Sequence, residues 1–421
     1  MKKISPANLL FTSFIIWIVC FIFSPYNYNF QESSFNAVIF ISFSFLCFII
    51  GAITIKNDDI SSGELNNFSN SSINSIFYFS IITGFIGGLL RIYQRIFTES
   101  VLMYDNFTEY RFASADAYYE NSLIDVFASI MYPFGIVSLL LYIYYNKQIN
   151  VNKYIVWFVA ATYPLESIFL GGRLNLIFFA TLIFFAFQVN NFLNKGSLMS
   201  FQIKKLIPLF LVLIIFLMYS ANIVTARFDQ MGFSFESYIF YLEVVRDVEI
   251  ENSYLSFLVD NNFSSFSFFT FAIAEIVHYF HAGVIEFIKL YHFNDGDYVY
   301  WMGAHQFSIY LKFFSILGFE NLPSYLDTLE SYHQAGQYTS FVGSALIDFG
   351  EYTPIYMFIL GILSGGIYNS ALKGELAGIM IFPFVATVVV YSPMINFLMN
   401  APLYILNALI LVIIISKVKI E

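Results

Sequence analysis

Residues 123–145 read LIDVFASIMYPFGIVSLLLYIYY. One charged side chain, Asp125, stands near the start, and the residues after it are apolar, aromatic or small. A helix that crosses the roughly 30 Å hydrocarbon layer of a bilayer needs about 20 such residues, and this stretch supplies them. A strand of a membrane barrel would alternate apolar and polar residues instead. The segment reads as a membrane-spanning helix and gives the measure for the rest of the chain.

Runs of the same kind stand on both sides of it. Ten spans are expected, over residues 9–23, 35–54, 73–90, 123–145, 154–170, 174–189, 206–224, 353–368, 377–391 and 401–416. The expected fold class is all-α: a polytopic helical membrane protein with about ten transmembrane helices and one large periplasmic loop containing amphipathic or re-entrant helices. Residues 1–224 would carry the first seven spans on short loops, 225–352 the large loop, and 353–421 the last three spans. The whole 421-residue chain agrees, being 58% hydrophobic and only 11% charged, with a mean hydropathy of +0.70. Soluble proteins carry about a quarter of charged residues, so a soluble enzyme and a disordered chain are both excluded. A net charge of -10 with no basic face excludes a nucleic-acid binder. Cys20 and Cys47 lie inside apolar runs and read as small hydrophobes, not as a disulfide or metal ligands. The first run lacks a small-residue cleavage site after it and reads as a signal anchor.

Lysines set the orientation. With the N-terminus inside, eleven of the thirteen lysines fall on the cytoplasmic side. All six arginines, Arg91, Arg95, Arg111, Arg173, Arg227 and Arg246, then fall outside or at the outer membrane edge. Arginines held against the usual charge bias are candidates for a function, or for pairing with loop carboxylates. All five histidines, His278, His281, His292, His305 and His333, sit in the large outer loop. Histidine is the side chain poised for proton transfer near neutral pH.

Four constellations carry possible chemistry. Gly171-Gly172-Arg173 joins two apolar runs and presents a forked donor at the membrane surface, suited to a phosphate oxygen or to snorkelling. Arg227, in Thr225-Ala226-Arg227-Phe228-Asp229, stands at the same depth, where Asp229 is a local neutralising alternative. The apolar stretch 263–293 carries Glu275, His278, His281, Glu286 and Lys289, too many ionisable groups for a lipid-facing span. It is expected as an amphipathic or re-entrant helix whose polar side is either a binding face or a stripe turned to water. Asp348-Phe349-Gly350-Glu351 leads into the eighth span as a sugar-binding or basic site, or as helix capping around Thr353. Arg91 and Arg95 share a helix face and are reserve candidates for phosphate. Glu166 is an intramembrane carboxylate, functional by default. Asp295-Gly296-Asp297 reads as an ordinary turn, and no metal cluster or cofactor motif stands out.

Taken together, these residues resemble the Wzy-type polymerases of O-antigen, capsule and related repeat-unit polysaccharides. The likeness rests on Gly171-Gly172-Arg173 between two spans, on Arg227 opening the large loop, on Tyr279 to Phe287, and on Asp348-Phe349-Gly350. It implies an integral membrane glycosyltransferase of the GT-C type in the bacterial inner membrane, multi-pass, with its active site facing the periplasm. Its substrate would be an undecaprenyl-pyrophosphate-linked oligosaccharide, and the growing glycan would pass from its lipid carrier to the next repeat unit. No nucleotide sugar, metal or other cofactor is implied; membrane lipid and a chain-length-regulating co-polymerase are. Charge builds on the departing pyrophosphate, so positive charge aimed there lowers the barrier. Arg173 and Arg227 are assigned that task, with Arg91 in reserve. His281 is the first choice of base for the attacking hydroxyl, with Glu286 and Asp348 behind it. Tyr279, Tyr338 and Trp301 are the candidates for stacking on sugars. O-antigen ligases share the layout and form the first alternative. A lipid-linked oligosaccharide flippase or other transporter is the second, weakened by the lack of an internal repeat.

Overall fold

The computed structural model describes residues 1–28, 34–55, 70–98, 123–169, 174–195, 198, 248–260, 265–292, 302–316, 339–399 and 401–418. They are mostly helical. In chain order the elements are α1 (Pro6–Ile22), β1 (Tyr26–Tyr28), α2 (Ser34–Thr54), α3 (Asn70–Tyr93), α4 (Leu123–Met131), α5 (Phe134–Tyr145), α6 (Lys153–Phe169) and α7 (Leu174–Lys195). Then come β2 (Val248–Ile250), α8 (Asn252–Asp260), α9 (Ser265–His292), α10 (Ser308–Ile316), α11 (Phe341–Phe349), α12 (Thr353–Leu372), α13 (Leu376–Tyr391) and α14 (Ala401–Val418).

Among the described residues, five stretches are long and apolar enough to cross a membrane: Ser34–Thr54, Ser72–Phe97, Ile124–Tyr145, Leu174–Lys195 and Phe341–Leu372. Pro6–Ile22, Leu376–Tyr391 and Ala401–Lys417 are shorter apolar helices. The outward faces are as apolar as the interior: Phe11, Ile22, Phe35, Ile53, Phe97 and Phe158 are each more than half exposed. Water would penalise such a surface, and a bilayer accepts it. The chain is a helical membrane protein. The expected seventh span, 206–224, lies outside the described residues.

Two helices depart from the simple reading of the sequence. The stretch 123–145 is not one helix but α4 and α5, separated at Tyr132 and Pro133. Proline has no N–H to give to the turn before it, and its ring crowds that turn. The α3 helix runs on past Tyr93 into a wide π-helical turn, Gln94–Thr98, which carries Arg95. The stretch 263–293 forms α9, one unbroken helix of 28 residues. It contains no turn at which it could double back.

Among the described residues, the most extensive helix–helix packing joins α2 to α12. A Cβ on Gly51 would lie 2.2 Å from the Phe358 carbonyl oxygen, and one on Gly361 would lie 2.2 Å from that of Phe48. Only hydrogen fits there, so the two backbones touch. Contacts of this kind also fix helix directions. Phe48 and Ala52 meet Gly361 and Gly365 in parallel order. Gly84 meets Gly135 and Gly87 meets Tyr132, so α3 and the α4–α5 pair are antiparallel. Gly88 meets Thr162 and Arg91 meets Glu166, so α3 and α6 are parallel. Phe21 meets His281, Gly283 meets Met394 and Ser340, and Tyr404 meets Ser129 beside Arg91, so the ends of α1, α3, α6 and α13 and the starts of α4, α12 and α14 gather at one end of the bundle.

Candidate functional site

That end carries three polar groupings. The first is built by β1, which comes directly after α1. It pairs antiparallel with β2, in the register Tyr26 to Ile250, Asn27 to Glu249 and Tyr28 to Val248. Alternation along a strand sends Tyr26 and Tyr28 to one face, and that face lies on α9. Tyr26 packs on the His278 ring at 5.2 Å between centroids. The Tyr28 hydroxyl is 2.8 Å from His278 Nδ1 and also contacts His281 Nε2. Ser24 Oγ lies 3.4 Å from that same Nε2. Phe21, at the end of α1, meets the His281 ring edge-on and stacks on Tyr28.

His278 and His281 are buried, His281 completely. The polar side of α9 at these residues is thus turned inward, and the water-facing stripe considered from the sequence is not what forms there. Burial pushes the His281 imidazole down to about 4. The ring is neutral at physiological pH. Glu286, farther along α9, pairs with Lys289 at 3.6 Å. Between them, Gly283 sits against the Met394 carbonyl, and its own carbonyl accepts from Ser340 N at 3.0 Å. These contacts seat α9 on the segments before α11 and after α13.

The second grouping centres on Asp348, near the end of α11 and fully buried. Its carboxylate accepts from the backbone N–H of His305 at 2.9 Å and of Gln306 at 3.0 Å. Its own carbonyl accepts from Met302 N. Met302 and Gly303 both have positive φ, 50° and 97°, so the loop turns sharply at this anchor. Gln306 Oε1 in turn accepts from Tyr356 and Asn396. Both carboxylate oxygens are engaged with backbone, which makes Asp348 the clamp of the 302–307 turn rather than a base aimed at a ligand. Thr353 is also buried, and its hydroxyl donates to the Gly350 carbonyl at 2.7 Å.

The third grouping joins α3, α4 and α6. Arg91 pairs with Asp125 and with Glu166, and Arg95 Nη2 donates to Glu166 Oε1 at 2.8 Å. Tyr132, brought inward where α4 breaks from α5, places its ring 5.6 Å from the Arg91 guanidinium and its hydroxyl on Glu166. Two arginines face two carboxylates, so the cluster is neutral within itself. This is the ion-pairing alternative for the outer arginines, with carboxylates drawn from helices instead of loops. It also accounts for Glu166. Tyr404 of α14 bonds Ser129 beside Asp125 and Arg91.

An apolar cavity of about 190 Å³ lies among α1, α2, α12, α13 and α14. Leu10, Phe48, Leu363 and Val385 line it, and it reaches Phe341 and Ser392 at the polar end. There Phe341 N donates to the Ser392 carbonyl at 2.8 Å.

The structure therefore brings His281 to an aromatic pocket, Asp348 to a backbone clamp, and Arg91 to an ion cluster. Arg173, Arg227, Trp301 and Tyr338 lie outside the described residues, and Tyr279 is described only through its helical backbone. Sequence reasoning overlooked Tyr28, Tyr26 and Ser24. The available signal was the alternation Tyr26-Asn27-Tyr28 at the mouth of the first span. Among the described residues, no three His, Cys, Asp or Glu side chains converge where a metal could sit.

Compared with family models, with curated proteins and with solved structures, the chain matches none. The functional reading rests on its own residues.

Proposed function

We propose that this chain is a membrane glycosyltransferase that polymerises lipid-linked oligosaccharide repeat units, of O-antigen or capsule, at the periplasmic face of the bacterial inner membrane. The growing glycan passes from undecaprenyl pyrophosphate to the next repeat unit. One observation carries the reading: a buried histidine pair, a hydrogen-bonded carboxylate and an arginine cluster gather at one end of an apolar helical bundle, and an apolar cavity inside the bundle reaches toward that end at Phe341 and Ser392. That arrangement suits a substrate with a hydrocarbon tail in the bundle and a polar head at its rim. The His278–His281 pair is assigned to removing the proton of the attacking hydroxyl. Arg173 and Arg227 are assigned to the pyrophosphate leaving group, and Tyr279, Tyr338 and Trp301 to the sugar faces. The cavity from Phe341 to Leu363 is assigned to part of the polyprenyl tail. In this reading the chain has ten spans, the 225–352 loop is periplasmic, and a chain-length co-polymerase acts beside it.

The test is deletion of the gene in its host, followed by a gel of surface lipopolysaccharide or capsule. The expected result is a core bearing a single repeat unit, with the ladder of longer chains lost. A bare core with polymer stranded on its lipid carrier would indicate a ligase instead. A bare core with repeat units trapped on the cytoplasmic face would indicate a flippase, and an unchanged ladder would end the proposal.

A further inference from the structure

The apolar cavity is a trough with a floor, a back and an open side. Its floor is α13, which packs on α12 and also on α14. Among the described residues α12 and α14 have no comparable contact with each other, although both line the cavity. Leu10 of α1 and Phe48 of α2, both buried, stand at the back. The remaining side is open. Leu363 of α12 lines the cavity and is 56% exposed. Leu360 and Ile367, on the same stripe of α12, are partly exposed, as is Leu406 of α14. The α12 helix belongs to a stretch long and apolar enough to cross a membrane, so the medium outside Leu363 is the bilayer.

The walls decide what can enter. Of the side chains that line the cavity, Ser364 and Ser392 alone are polar. The Ser392 hydroxyl already donates to the Val389 carbonyl at 2.8 Å. A buried water needs about two to four polar partners, and a charged ligand would lose more by entering. The occupant is a hydrocarbon. The two ends of the trough differ. Phe341 and Ser392 stand at one, where Phe341 N donates to the Ser392 carbonyl and Ser340 N to that of Gly283. Ile367 and Ile381 lie in apolar helix toward the other. From Met357 to Ile367 the lining of α12 runs ten residue steps. That is about 15 Å of helix, half of the roughly 30 Å hydrocarbon layer. A cavity of about 190 Å³ spread over that length is narrow. It takes one chain to the depth of one leaflet, with the polar head at the Phe341 end. A phospholipid brings two chains on one head, whereas a polyprenyl carrier brings one. We infer that the trough is the side portal of the lipid carrier: the head-proximal part of a polyprenyl chain enters from the bilayer between α12 and α14, past Leu363, and its phosphate end is held beside Phe341 and Ser392. That end adjoins α9 and α11, the helices of His281 and Asp348. The choice of a polyprenyl chain rests on the transfer reading above, whereas the open trough is a property of the protein alone.

The experiment uses the full chain in phosphatidylglycerol nanodiscs. Two photoactivatable probes are compared: a polyprenyl phosphate with a diazirine in the isoprene units next to its head, and a phosphatidylglycerol with a diazirine in one acyl chain. Cross-linked residues are mapped by mass spectrometry. The polyprenyl probe should label the trough at Leu360, Leu363 or Val385, and excess unlabelled polyprenyl phosphate should remove that label. Val385→Trp, which fills the floor, and Leu363→Trp, at the exposed rim where folding tolerates bulk, should each cut trough labelling about tenfold. Ile359→Trp, on α12 and nearly half exposed but not lining the trough, should stay within about twofold of the wild type. In the host, the two trough variants should lower polymer about tenfold, with the protein at normal levels. Trough labelling by the phosphatidylglycerol probe that polyprenyl phosphate does not displace would make the occupant an ordinary bilayer lipid and overturn the portal. So would an unlabelled trough, or a full polymer ladder from both Leu363→Trp and Val385→Trp. Those results would leave the gene-deletion result standing. An unchanged ladder after deletion would instead end the transfer reading and leave the labelling pattern as measured.

Discussion

Glu166 lies one turn from the end of α6 and holds two guanidiniums at once. In the sequence it was a lone carboxylate in an apolar run, and Arg91 and Arg95 were two cations on another helix. Nothing local links positions 71 and 75 residues apart, so the pairing became visible only in the folded chain. Once paired, the group behaves as a unit. Removing the carboxylate leaves Arg91 with Asp125 as its one remaining ion-pair partner among the described residues and takes from Arg95 its bond to Oε1. An uncompensated charge in a buried setting costs about 3 to 5 kcal/mol. Glu166→Gln should therefore lower the unfolding temperature of the protein in detergent by many degrees and reduce its level in the membrane. Arg95→Gln should cost less, because Arg91 still satisfies the carboxylate. A Glu166→Gln protein as stable as the wild type would show that the cluster carries no net stabilisation. The histidines teach the same lesson. Their i, i+3 spacing was legible, but Tyr28, about 250 residues earlier in the chain, was not, because the β1–β2 pairing that brings it there joins segments far apart in sequence.

At the scale of elements, the apolar runs told most of what they could. The run 35–54 became Ser34–Thr54 and the run 377–391 became Leu376–Tyr391, because apolar length decides where a helix can sit. What hydropathy does not encode is which faces meet. Phe48, Gly51 and Ala52 on α2 and Phe358, Gly361 and Gly365 on α12 gave no strong local signal, yet they form the closest helix pair. In a bilayer apolar side chains gain little by leaving lipid, so such pairs are held by close packing of small residues. Gly361→Leu would drive a side chain into the Phe48 carbonyl. The expected cost is about 1 to 3 kcal/mol of overpacking, read as a lowered unfolding temperature, whereas Gly366→Leu, where a Cβ would meet nothing within 4 Å, should be nearly neutral. Equal losses at both positions would mean that the α2–α12 contact is not what the glycine protects. The break at Pro133 was also legible in principle, since proline inside a helix interrupts its bonding. The apolar count that marks a span passes over it.

At the scale of the whole molecule, two independent lines agree on which residues share an end of the bundle. Lysine placement puts residues 56, 147, 153 and 195 on one side of the membrane. Side-chain contacts, which owe nothing to lysine, run α3 antiparallel to α4–α5 and parallel to α6, and α2 parallel to α12. Both place Tyr28, Arg91, Glu166, Asp348 and Tyr404 at the end opposite Lys147, Lys153 and Lys195. If the lysines mark the cytoplasm, the polar end is periplasmic, and fusions can read this directly. Alkaline phosphatase is active only after export. Fused after Tyr28 it should be active, and fused after Lys56, Lys147 or Lys195 it should be silent. A β-galactosidase fusion should give the reverse at each point. Fusion after Leu346 should again report export, because α11 precedes the descent of α12. Because the helix contacts make these sites interdependent, one inverted result at Lys147 would contradict both the α3–α5 packing and the charge rule, whereas a uniform inversion at every site would keep the fold and turn the polar end toward the cytoplasm. That second outcome would remove the periplasmic transfer reading while leaving the contacts of Tyr28 with His278 and His281 intact as a property of the folded protein.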